Sequence, residues 1–137
     1  MPHITHAQFT NRFCALVLST SDLPKKQDDL HILLYSSILK LDPERQYTEK
    51  EMNEQLQQWS VRFGTSFGLD HVTLRRILSD LGYIQRDVAG AAYQVGKTEL
   101  AYSFDSSINM LDLDELVEKA KRAREERKQQ YMKSSKQ

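Results

Sequence analysis

Between Lys26 and Leu81 the apolar residues recur at helical spacing in three short runs, and just after Gly82 the spacing changes to that of strands. Each run is too small to bury its own apolar face, so the three must pack on one another and on the strands after Gly82. The first run, Lys26 to Leu41, carries Leu30, Leu33, Leu34, Ile38 and Leu41 on one face. It stops before Asp42-Pro43, because a residue preceding proline avoids helical angles. The second is expected from Glu49 to about Arg62, burying Met52, Leu56, Trp59 and Phe63. Thr48 and Glu51 mark its start: the hydroxyl can accept from the Glu51 N–H while the carboxylate accepts from the Thr48 N–H. Gly64-Thr65-Ser66-Phe67-Gly68 then reads as a loop. In the third run Asp70 is the expected N-cap, Leu74, Ile77, Leu78 and Leu81 form the inward stripe, and Gly82 is the left-handed terminator.

Tyr83–Arg86 and Ala91–Val95, separated by Asp87-Val88-Ala89-Gly90, have the length and turn composition of a β-hairpin. Outside this unit, Phe9, Phe13, Leu16 and Val17 predict a helix from about Thr5 to Ser19, ended by Ser19-Thr20-Ser21-Asp22 and Pro24. Leu100–Phe104 adds a candidate strand. A last helix is expected from near Asp112, with Leu113, Leu116, Val117 and Ala120 inward and Asp114 and Glu115 favouring its positive end. Beyond Ala123 the stripe fades, leaving either an exposed helical extension or a disordered tail. The order helix, short Tyr47 segment, helix, turn, helix, hairpin predicts a mostly helical α+β fold with a winged helix-turn-helix core and extra N- and C-terminal helices. The expected division is residues 1–22 as an N-terminal helix, 23–97 as the winged-helix-like domain and 98–137 as a C-terminal segment and basic tail.

At 137 residues one core is the working expectation, and the zero net charge hides an uneven distribution. Lys119 to Gln137 holds eight basic and two acidic side chains, a net +6, so the rest carries −6. The longest apolar run, Phe13–Leu18, is six residues, far short of the roughly 20 a membrane span needs. With one cysteine, Cys14, there is no intramolecular disulfide, and with no secretion signal the expected location is cytoplasmic. His3, His6, Cys14, His31 and His71 lack the spacing of a metal site, and His3 and His6 are expected near a mobile terminus. No glycine-rich loop has a phosphate-binding pattern, and Cys14, flanked by Phe13, Ala15 and Leu16, reads as a small buried hydrophobe. The expectation is therefore no enzyme activity, no cofactor, no metal and no membrane partner.

Several strings carry a resemblance. Leu23-Pro24-Lys25-Lys26, Tyr47-Thr48-Glu49-Lys50-Glu51-Met52-Asn53 with Leu56, Leu74-Arg75-Arg76 with Leu78, Gly82-Tyr83-Ile84 with Arg86, and Gly90 with Tyr93 resemble a bacterial domain-of-unknown-function family, number 2087, over about Leu23 to Val95. What the resemblance implies is a small winged-helix-like domain, found alone or attached to transcriptional regulators. It implies no reaction, cofactor or site residue.

On the expected recognition helix, Val72, Arg76 and Ser79 lie opposite the apolar stripe and Arg75 lies to one side. Arginine there can fork onto guanine in a major groove or onto phosphate oxygens, and His71 and Thr73 stand in the same first turns. Arg86 and Lys97 bracket the hairpin, whose tip carries little charge for gripping phosphate. The candidate DNA-binding residues are therefore His71, Thr73, Arg75, Arg76, Arg86 and Lys97, with the basic tail as a further phosphate contact. The ordinary alternative for the arginines is a solvated face bridged to neighbours such as Asp80, and for the tail a face of i, i+4 pairs such as Glu118–Arg122. Two functions fit: a non-enzymatic DNA-binding transcriptional regulator, or a protein-protein adaptor on the same fold whose outer helices pair chains. Duplex DNA and a protein are the partners considered, and a homodimer would suit a two-half-site operator.

Overall fold

In a computed structural model, which describes residues 2–19, 22–87, 89, 92–96 and 100–135, the chain is α+β and mostly helical. The described elements are β1 (His3–Ile4), α1 (His6–Ser19), α2 (Gln27–Ser37), β2 (Tyr47–Thr48), α3 (Glu49–Trp59), α4 (His71–Asp80), β3 (Ile84–Arg86), β4 (Ala92–Val95), β5 (Ser103–Phe104) and α5 (Leu113–Ser135). Thr20, Ser21, Val88, Gly90, Ala91 and Lys97 lie outside the described residues, and with them part of the first helix terminator and of the wing tip.

Local chemistry sets the helix ends as expected. The Thr48 Oγ1 accepts from the Glu51 N–H at 3.1 Å and the Glu51 carboxylate accepts from the Thr48 N–H at 3.0 Å, which opens α3 with a closed capping box. Asp70 caps α4 by accepting from the Thr73 N–H at 2.7 Å. At the other end of α4, Gly82 takes φ +83°, its N–H donates to the Ser79 carbonyl, and the Tyr83 N–H reaches back to the Leu78 carbonyl at 2.9 Å. That pair of bonds is the Schellman arrangement, which ends the helix and aims the chain into β3.

Four expectations are corrected, the last of them at Leu81, described with the core. The first helical run stops at Ser37 and reaches Leu41 by turns. The stretch expected as a loop stays helical in a looser form, a π-turn over Ser60–Gly64 followed by a 3-10 turn over Thr65–Phe67. Gly64 allows this, because a Cβ there would meet the Trp59 ring at 2.7 Å and the Leu69 carbonyl oxygen at 2.8 Å. The N-terminus is anchored: β1 pairs in parallel with β5, the Ile4 side chain is buried, and the His3 ring spans Ser103 Oγ at 2.7 Å and Asp105 Oδ1 at 2.9 Å.

The larger sheet is antiparallel in the order β2-β4-β3, with Tyr47 opposite Tyr93 and Arg86 also in register with Tyr93. This sheet and the order α2, β2, α3, α4, β3, β4 are compatible with a winged helix-turn-helix core. One apolar cluster runs from Phe9 and Phe13 of α1 through Leu33 of α2, Leu56 of α3, Leu74 and Leu78 of α4 and Ile84 to Val117 of α5. Each such large side chain contributes roughly 1.5–3 kcal/mol through burial. Polar groups within it are matched: the Trp59 indole N–H donates to Ser36 Oγ at 3.0 Å, and Arg12 forks onto the buried Asp29 at 3.0 Å through both nitrogens. Leu81, expected in the core stripe, is 39% exposed at the C-cap of α4, one residue past the end of the helix. Past Ala123 the helix α5 continues to Ser135 and is exposed through Met132. No helix among the described residues is long and apolar enough to cross a membrane.

Candidate functional site

α4 turns Leu74 and Leu78 into the core, and the helical repeat then places Val72, Thr73, Arg76 and Ser79 outside. Asp70, fixed by its bond to the Thr73 N–H, holds a carboxylate at the positive end of this helix, and that hydrogen bond lowers its pKa. His71 is half-buried, and Thr73 is exposed with its backbone committed to the cap.

The two arginines have different surroundings. Arg76 is exposed and has no ion-pair partner among the described residues. Arg75 has a side chain only 20% exposed; its Nη1 donates to Asn53 Oδ1 at 2.6 Å and to Glu49 Oε1 at 3.2 Å, both on α3. Its guanidinium also lies 5.7 Å from the centre of the Tyr93 ring. Arg86, at the end of β3, lies 5.8 Å from the same ring centre. Tyr93 thus brings Arg75 and Arg86 together, and Arg75 joins α4 to α3 and to the sheet.

Lys97 lies outside the described residues, and so do Val88 and Gly90 of the hairpin tip. The basic helix α5 leans on α1, with Arg124 donating to Ser19 Oγ at 2.7 Å, while Arg62 from the π-turn pairs with Asp114 at 2.8 Å. Glu115–Lys119 and Glu118–Lys121 bridge along its surface.

Sequence reasoning did not single out Glu49, Asn53 or Tyr93 as neighbours of the arginines. Glu49 and Asn53 are four apart and share one face of α3, which was a usable signal. That α4 would lay Arg75 on that face was not visible, since it depends on the angle at which the helices cross.

No group of three His, Cys, Asp or Glu residues among those described could hold a metal ion. A cleft lined by Ser36, Trp59, Phe63 and Leu113 encloses about 30 Å³, room for about one water. Cys14 is half-buried, and burial pushes its thiol pKa up.

Comparison with known families matches residues 20–95 to a family described as an uncharacterized protein conserved in bacteria (DUF2087). The chain belongs to that family. The matched stretch takes in α2 through β4, so Arg75, Arg76, Arg86 and the partners Glu49, Asn53 and Tyr93 all fall inside it, whereas α1 and α5 fall outside. No curated protein matches the chain, and no solved structure does.

Proposed function

We propose that this DUF2087 member is a non-catalytic, cytoplasmic DNA-binding protein of transcriptional control, with α4 as its reading element. The observation that carries this reading is the exposed α4 face: Arg76, free of carboxylate partners among the described residues, stands beside Thr73 and Ser79 on a helix capped at both ends. A helix held in this way can offer side chains to a major groove without first becoming ordered. Arg76 and Thr73 are the proposed base or phosphate contacts, with His71 at the edge of the face. Arg75 is given a different task, holding α4 at its angle to α3, and Arg86 supports it through Tyr93.

The test is selection of duplexes from a randomised pool, followed by affinity against salt for the recovered sequence. Binding should fall linearly in log salt as counterions are released from each neutralised phosphate. An empty selection at low salt rejects the reading and favours a protein adaptor. One observation speaks for that second reading: Val72, on the same face as Arg76, is 44% exposed, an apolar group that a protein partner would use.

A further inference from the structure

α1 and the first half of α5 enclose an open groove of about 410 Å³. Its apolar lining is half-buried and therefore half available: Cys14, Ala15 and Leu18 from α1, Leu116 and Ala120 from α5. Lys119, Arg124 and Arg127 complete the lining with exposed cations. Lys119 already bridges to Glu115. Arg124 donates to Ser19 Oγ and Arg127 to the Ala123 carbonyl, so neither has a carboxylate partner among the described residues. α1 contributes none, because His6–Ser19 contains no Asp or Glu. A second groove continues round Leu18 and Arg124, where Lys121, Arg122 and Lys128 outnumber the one carboxylate, Glu125.

An apolar strip edged by unneutralised arginines is complementary to a helix with one apolar face and acidic flanks. A nucleic-acid backbone would satisfy the arginines and leave the half-exposed Leu18 and Leu116 uncovered. A second copy of α5 brings eight basic against two acidic side chains over residues 119–137, so like charges would outnumber opposite ones. We propose that the α1–α5 groove binds an acidic amphipathic helix of a partner protein, its apolar face on Leu18, Leu116 and Ala120 and its carboxylates on Arg124 and Arg127. This holds whether or not α4 meets DNA, since the groove lies outside the family-matched stretch.

Cys14 lines the groove and is the chain's single cysteine, so its rate of reaction with a thiol reagent reports on this place alone. The experiment measures that rate in the full chain against a synthetic peptide with Leu at helical i, i+3, i+4, i+7 spacing and Glu elsewhere. The expected result is a saturable, several-fold slowing. It should be absent with a scrambled peptide of the same composition, and lost in Arg124→Glu/Arg127→Glu, whose exposed positions leave helicity unchanged by circular dichroism. An unchanged rate, equal protection by the scrambled peptide, protection by duplex DNA, or protection by raising the protein concentration alone would each overturn the proposal. The last two would assign the groove to nucleic acid or to a second copy.

Discussion

Arg75 Nη1 donates to Asn53 Oδ1 at 2.6 Å, and through this bond the helix proposed to read DNA is fastened to the helix before it. The pair with Glu49 is more exposed and adds less, since the carboxylate partner is 54% exposed. Arg75→Ala should therefore cost about 1–2 kcal/mol, most of it from the lost hydrogen bond and the lost cation–π approach to Tyr93. The midpoint of urea unfolding checks this, and Asn53→Ala should give a similar loss that does not add fully to the first.

Gly96 passes so near α4's end that a Cβ on it would meet the Gly82 carbonyl oxygen at 1.9 Å, while its N–H donates to the Tyr83 carbonyl at 2.8 Å. Backbone on both sides cannot give way as a side chain would. Gly96→Ala should cost about 3 kcal/mol or more, the upper end for overpacking. Gly68→Ala should be milder, about 1–2 kcal/mol, because its Cβ meets open space and only the φ of +72° is strained. Thermal unfolding of the two variants gives the order.

These contrasts mark what was legible in the chain. The capping box at Thr48, the Asp70 cap and the Gly82 terminator are local chemistry, decided by residues within a few positions, and they could be read directly. The β1–β5 pair could not, because it joins His3 to Ser103 across a hundred positions and neither strand exceeds two residues. The π-turn after Trp59 was hidden for another reason: Gly64 and Gly68 signal a break, and periodicity does not show that the Gly64 carbonyl accepts from the Leu69 N–H at 2.9 Å and keeps the chain winding. The candidate site was half legible. Periodicity placed Arg76 outside, but the Glu49 and Asn53 partners of Arg75 needed the packed helices.

Acid should loosen the fold through its caps. The hydrogen bonds with Thr48, with a smaller pull from Arg45, hold the Glu51 pKa below 4.5, and bonds from Thr73 and from the His6 N–H do the same for Asp70 and Asp105 below 3.8. A carboxyl depressed in the folded state contributes stability above its unfolded pKa and loses it as pH falls through the folded value. Stability should decline from about pH 4.5 downward, and Asp70→Asn should show a shallower decline than the parent in urea titrations at successive pH values.

His31 acts in a higher window. It is buried, with Nδ1 2.6 Å from the Tyr83 hydroxyl and its ring 4.5 Å from that of Tyr102. Burial lowers its pKa below 6.5, against a smaller upward pull from Asp28. The unfolded chain then binds the proton more readily, so this contribution is complete above pH 6.5 and is lost as pH falls below it. His31→Gln should be less stable at neutral pH yet flatter across that interval, which paired urea titrations would reveal.

The division of labour between the two neighbouring arginines is best tested by fluorescence anisotropy of a selected duplex with the parent, Arg76→Ala and Arg75→Ala, alongside the unfolding midpoint of each. The expected result is that Arg76→Ala weakens binding by about 1–3 kcal/mol with an unchanged midpoint, whereas Arg75→Ala lowers the midpoint. Parent-like binding by Arg76→Ala, or a parent chain that holds no duplex even at low salt, would contradict it.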